Sequence, residues 1–156
     1  MTLRQQIDKS LEIVLSVLMS LMVINVLWQI ASRYLLNDPS AFTDELARYM
    51  LIWLGLLGSA YASGKNMHVA IELIDQKLSE KQIFNKKKVI HLLITLFALV
   101  VLIIGGSRLV YISFQLGQTS SAMQLSLGYV YLVLPISGLL ICYYSISDLL
   151  TTKKES

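Results

Sequence analysis

Asp44, Glu45 and Arg48 head an apolar stretch, FTDELARYMLIWLGLLGSAYASGKNMH (residues 42–68), that closes on Gly64, Lys65 and His68. Two carboxylates beside a guanidinium can relay protons or hold a cation when they lie at mid-membrane and face the interior of a helix bundle. At a membrane surface the same residues simply pair. On a helix Asp44 and Arg48 are i,i+4 neighbours and Glu45 and Arg48 are i,i+3 neighbours, so both acids can reach the arginine along one edge. A second chemistry to weigh is haem ligation by His68 and His91, which needs two histidines facing each other across a bundle. His68 stands at a helix exit, however, where a capping or interfacial role is simpler. Cys142 is the single cysteine and lies inside an apolar run, which excludes a disulfide framework and a cysteine metal cluster. The sequence has no phosphate-binding glycine loop, nucleophile constellation or metal-ligand spacing.

The elements that must position these residues are membrane helices. Of 156 residues, 55% are hydrophobic and only 15% charged, which excludes an ordinary soluble domain and a disordered chain. The net charge of +3 is small and gathered in one loop, so it speaks of membrane topology and not of nucleic-acid binding. The predicted fold is an all-α integral membrane protein, a single membrane domain over residues 1–156. Its four transmembrane helices fall at about 11–35, 44–65, 88–116 and 127–150, with an amphipathic interfacial helix at about 66–82.

The first run is uncharged between Glu12 and Arg33, and Trp28, Arg33 and Tyr34 mark its far end as interfacial anchors do. It is too long for a cleaved signal segment and is read as a retained helix. After a short turn, Pro39 suits a first helical position with Asp38 as its cap. The second run, Tyr49 to Gly64, is short, and starting its helix at Asp44 supplies the missing turn. Small residues recur on it at helical spacing, Gly55 with Ser59 and Ser63, and Gly58 with Ala62, which lets another helix approach closely. Trp53 is a bulky anchor beside them or a lipid-facing aromatic.

Met67, Ala70, Ile71, Ile74 and Leu78 then make an apolar stripe opposite Glu72, Asp75 and Glu80, the pattern of a helix lying in the interface plane. Lys86–Lys88 introduces the third run, which Arg108 closes at the other face, with Gly105-Gly106 admitting a close neighbour. The polar turn at 117–126 divides it from the fourth run, where Tyr129 and Tyr131 mark one interface, Tyr143 and Tyr144 the other, and Pro135 a bend. Basic residues crowd the loop from Lys65 to Lys88 and the termini, so the termini and that loop are cytoplasmic.

This layout places every Asp, Glu, Lys and Arg at or beyond a helix end. The bundle centre offers only Asn25, Gln29, Ser59 and hydroxyls, suited to interhelical hydrogen bonds and not to proton transfer. The expectation is a membrane protein that is no enzyme and holds no cofactor or metal.

Arg33-Tyr34, Pro39, Glu45-Leu46-Ala47-Arg48, Gly58 and His68, in that order and spacing, resemble the DctQ-type small membrane subunit of tripartite ATP-independent periplasmic (TRAP) transporters. A weaker likeness runs over Ser121 to Gly138 and ends on Pro135-Ile136-Ser137-Gly138. The departure is chiefly Lys65-Asn66 before His68, where that family often has an arginine. The resemblance implies a non-catalytic scaffold in the bacterial inner membrane, working with a large TRAP membrane subunit that moves an organic acid with sodium ions. A periplasmic substrate-binding protein would deliver a C4-dicarboxylate or sialic acid, the family's usual cargo. The interface candidates are then Arg33, Asp44, Glu45, Arg48, Trp53, Gly55, Gly58 and Ser59. A free-standing small transporter and a haem-binding membrane subunit are the alternatives.

Overall fold

The computed structural model describes residues 3–38, 40–65 and 80–152, with side chains placed for 3–38, 40–65 and 89–148. The secondary structure is helical throughout, with no strand among the described residues and one isolated bridge between Thr119 and Ser126. The helices are α1 (Leu3–Tyr34), α2 (Ala41–Gly64), α3 (Glu80–Phe97), a π-helical segment (Ala98–Gly105), α4 (Gly106–Gln115), α5 (Leu127–Tyr131) and α6 (Val133–Thr152). Three stretches are long and apolar enough to cross a membrane: Leu3–Tyr34, Val89–Gln115 and Leu127–Asp148. α2 falls outside that set, because charges occupy its start and small or polar residues its end. The expected interfacial helix at 66–82 lies outside the described residues, apart from Glu80–Gln82, which open α3.

Each helix end follows from local chemistry. Ser40, and not the expected Asp38, caps α2, its hydroxyl accepting from the Thr43 N–H at 3.4 Å. α4 stops at Gly117, which takes φ +60°. Gly117 N–H donates to the Phe114 carbonyl at 3.1 Å and Gln118 N–H to the Ser113 carbonyl at 3.0 Å, the paired bonds of a Schellman ending. α5 and α6 are divided at Leu132, one turn before Pro135. The proline has no N–H to give the Tyr131 carbonyl, and its ring crowds that turn.

The helices pack as an open row and not as a closed bundle. α1 lies on α2, α2 on α6, and α6 on α3 and the π-helical segment, while α1 and α3 form opposite edges with no extensive packing between them. Two apolar clusters hold the row. Leu11, Leu57, Val133 and Tyr144 join α1, α2 and α6, with Trp53 packed alongside. Ala60, Ala98, Leu102 and Ile141 join α2, α6 and the π-helical segment.

Close approach is concentrated at glycines, as expected where helices meet without a hydrophobic drive between them. A Cβ at Gly106 would lie 2.7 Å from Leu134 Cβ, and one at Gly138 would lie 2.8 Å from Leu102 Cβ and from Ile103 Cγ1. Gly55 and Gly58, read from the sequence as packing positions, have nothing within 4 Å of where a Cβ would stand. The backbones of α6 and of the helix opposite it therefore meet at Gly106 and Gly138. Gly138 meets the π-helical segment itself, at Ala98, Leu102 and Ile103, and Gly106 follows directly after that segment.

Candidate functional site

Polar side chains gather at the two ends of the row. At the far end, where α1 finishes and α2 begins, Asn25 Nδ2 donates to the Thr43 carbonyl at 2.8 Å, and Gln29 Nε2 to Asp44 Oδ1 at 2.7 Å. Asn25 is buried, so its amide is spent on holding α1 to α2. Arg48 pairs with Asp44 as the i,i+4 spacing predicted.

Glu45 does not make the expected hydrogen bond to Arg48. Its carboxylate accepts from Tyr49 Oη at 2.8 Å and from three successive backbone N–H groups, Ser121 at 3.1 Å, Ala122 at 2.8 Å and Met123 at 3.0 Å. A turn with consecutive N–H groups pointing inward is an anion cradle, and here a side chain of the same chain fills it. The loop closes on itself as well: Ser120 N–H donates to the Leu125 carbonyl and Leu127 N–H to the Gln118 carbonyl, both at 2.9 Å. Phe114 and Tyr129 stack edge to face, 5.1 Å between centroids, and Gly128 leaves room for the Phe114 ring.

At the opposite end, Arg4 on the first turn of α1 donates to Asp148 Oδ1 at 2.6 Å and to the Gly64 carbonyl at 2.7 Å. A guanidinium on the last carbonyls of α2 also complements the negative end of that helix. Tyr144 Oη donates to Asp8 Oδ1 at 2.6 Å, and Lys65 Nζ lies 3.3 Å from Asp8 Oδ2. Tyr144 was expected as an interfacial anchor, yet it is fully buried, its ring against Gly64 and beneath the Arg4 guanidinium. A Cβ on Gly64 would sit 2.6 Å from that ring. The signal for this cluster lay in the charges Arg4 and Asp8, but α1 was expected to begin near residue 11.

The remaining candidates are dispersed. Arg33 is exposed on the last turn of α1, beside Gln29, Ile30 and Tyr34. Gly55 and Ser59 are exposed, and the Ser59 hydroxyl returns to the Leu56 carbonyl of its own helix. Gly58 lines an open groove of about 690 Å³ between α1 and α2, with Ser16, Met19 and Ser20 on the other wall. Arg108 departs from the expectation that every charge lies at a helix end. It is exposed on α4, and the helix continues to Gln115 beyond it. His68 falls outside the described residues, and His91 is partly buried on α3. Among the described residues no three or more of His, Cys, Asp and Glu come together as a metal site would need.

With this geometry in place, comparison with known proteins is direct. Residues 22–154 match the family described as "Tripartite ATP-independent periplasmic transporters, DctQ component". The chain is 40% identical over 79 residues to the sialic acid TRAP transporter small permease protein of Vibrio cholerae, an alignment covering 51% of this chain and 46% of that protein. The match thus spans about half the length of that relative. It is 32% identical over 148 residues to a putative TRAP transporter small permease protein of Haemophilus influenzae, covering 94% of this chain and 89% of that one.

Proposed function

The chain belongs to the DctQ component family of the tripartite ATP-independent periplasmic transporters, and from that premise we propose that it is a static scaffold for a larger transport subunit. Membership makes it a component of a membrane transporter and not an enzyme. The observation that carries the scaffold reading is where its polar groups go. Asn25, Gln29, Asp44 and Glu45 at one end, and Arg4, Asp8, Tyr144 and Asp148 at the other, join one helix or loop to another, while Arg48 pairs with Asp44 within α2. Among the described residues the helices also pack in a row, with α1 and α3 at opposite edges, and not around a shared interior.

In this reading α2 is a fourth membrane crossing, completed at its start by the paired charges. Both termini and the loop from Lys65 to Lys88 are cytoplasmic, as the basic residues direct, and the membrane is the bacterial inner membrane. Residues 66–82 lie along the cytoplasmic interface, from their apolar stripe. The large subunit performs sodium-coupled uptake of an organic acid delivered by a periplasmic binding protein. The Vibrio relative, named for sialic acid, favours a sialic acid over a C4-dicarboxylate.

Reconstitution tests the division of labour. Liposomes with this chain, the large subunit, the binding protein and an inward sodium gradient should accumulate sialic acid. Liposomes lacking the large subunit should not. Uptake by this chain alone would overturn the scaffold reading.

A further inference from the structure

We propose that the outer edge made by α3, the π-helical segment and α4 is where a membrane helix of the large subunit seats, bringing a carboxylate to Arg108. The proposal rests on the reading of this chain as one of two membrane subunits, and it assigns the surface and the chemistry of the contact.

Arg108 lies within the apolar stretch Val89–Gln115. Phe114, packed on Gly128 at the head of α5, is about 9 Å further along the helix, so Arg108 is set back from the far end of the row. Gly106 is pressed against Leu134 and Pro135, which fixes the side of the helix that faces α6. Two residues on, about 200° round the helix, Arg108 is turned to the outside and is exposed. No hydrogen bond or ion pair joins it to another described residue. Its neighbours on that stripe, Ile104 and Tyr111, are 57% and 62% exposed.

A charged side chain inside a membrane span is costly when it faces lipid, and such residues almost always face a protein interior and a partner. Arg108 faces outward from its own chain, so a second chain must make that interior. The opposite edge behaves differently. α1 also exposes apolar side chains such as Val17, Leu21 and Ile24, but carries no charge between Glu12 and Arg33. One edge is therefore apolar across a whole span and suits lipid, while the other carries a cation that wants an anion. A guanidinium takes a carboxylate in two parallel hydrogen bonds, which sets register as well as affinity.

The experiment uses the full chain coexpressed with the large subunit. A photo-crosslinking residue at Ile104 or Tyr111 should join the two subunits, and one at Val17 or Leu21, exposed on α1 and outside the groove beside Gly58, should not. Arg108→Gln should leave the isolated chain as helical and monodisperse as the parent, while the large subunit recovered with it falls about tenfold or more. Arg108→Lys should retain part of that recovery, because it keeps the charge and loses the paired geometry. Adducts only to phospholipid from Ile104 and Tyr111, or undiminished recovery with Arg108→Gln, would overturn the proposal and make Arg108 a headgroup contact. Failure of the parent chain itself to bring down the large subunit would overturn the two-subunit reading, and this proposal with it.

Discussion

Glu45 on α2 accepts a hydrogen bond from the backbone N–H of Ala122, 77 positions later in the chain, at 2.8 Å. With the Ser121 and Met123 N–H groups beside it, this contact ties the loop between α4 and α5 to the head of α2. A carboxylate offers two acceptor oxygens and no donor, which fits a turn presenting only donors. Glu45→Gln replaces one acceptor with an NH2 facing those N–H groups. Amide hydrogen exchange at Ser121, Ala122 and Met123 should then accelerate, while amides within α2 and α6 keep the parent's rates. Unchanged exchange at the three loop amides would show that the loop's own bonds suffice to hold it.

The near end depends on a glycine. The Gly64 Cα lies against the buried Tyr144 ring, so Gly64→Ala must push that ring away from Asp8 and Arg4. Forcing a methyl into a packed site typically costs about 1–3 kcal/mol. Reversible unfolding in mixed micelles should show that loss for Gly64→Ala. Gly58→Ala, with nothing within 4 Å, should stay within about 0.5 kcal/mol of the parent.

α1 is held mainly to α2, and its polar contacts lie toward its two ends. Asn25→Ala removes the bond to the Thr43 carbonyl, and interhelical hydrogen bonds in membranes average about 0.6 kcal/mol and reach about 1.7. Tyr144→Phe removes the bond to Asp8 at the other end. The two sites share no partner, so their effects on unfolding should add within about 0.5 kcal/mol. A double variant much worse than the sum would mean that α1 leaves the row as a unit once either end is loosened.

How much of this could be read beforehand follows from the range of each interaction. The uncharged run of α1, the stop at Gly117, the Asp44–Arg48 pair and the use of Asn25 and Gln29 between helices are local or compositional, and they were legible. Glu45 looked like a partner for Arg48 because i,i+3 spacing is visible in a sequence, whereas a bond to residue 122 is not. Tyr144 looked like an interfacial aromatic because it adjoins Tyr143 near a chain end. Its burial depends on Gly64, Asp8 and Arg4, which come together only when three helices pack. The π-helical segment falls on ALVVLIIG, where unbroken apolar residues carry no periodic signal. The family resemblance survived these errors because it rests on the order of short motifs and not on their contacts.

The small-residue face of α2 offers a last test. The sequence marks Gly55 and Gly58 as positions where another helix approaches closely. The structure instead places open space at both, with the packing glycine at Gly64. Gly55→Leu and Gly58→Leu should therefore each give an isolated chain with the parent's helicity and thermal stability. We propose that this face, with Ser59 on the Gly55 edge, also approaches the large subunit. The driving force would be close backbone packing, since lipid tails leave no hydrophobic gain for apolar helices to share. On that reading Gly58→Leu fills the groove against Ser16 and Ser20 and lowers recovery of the large subunit without unfolding the chain. If both leucine variants fold and bring down the large subunit like the parent, lipid covers this face, and the contact is confined to the edge carrying Arg108.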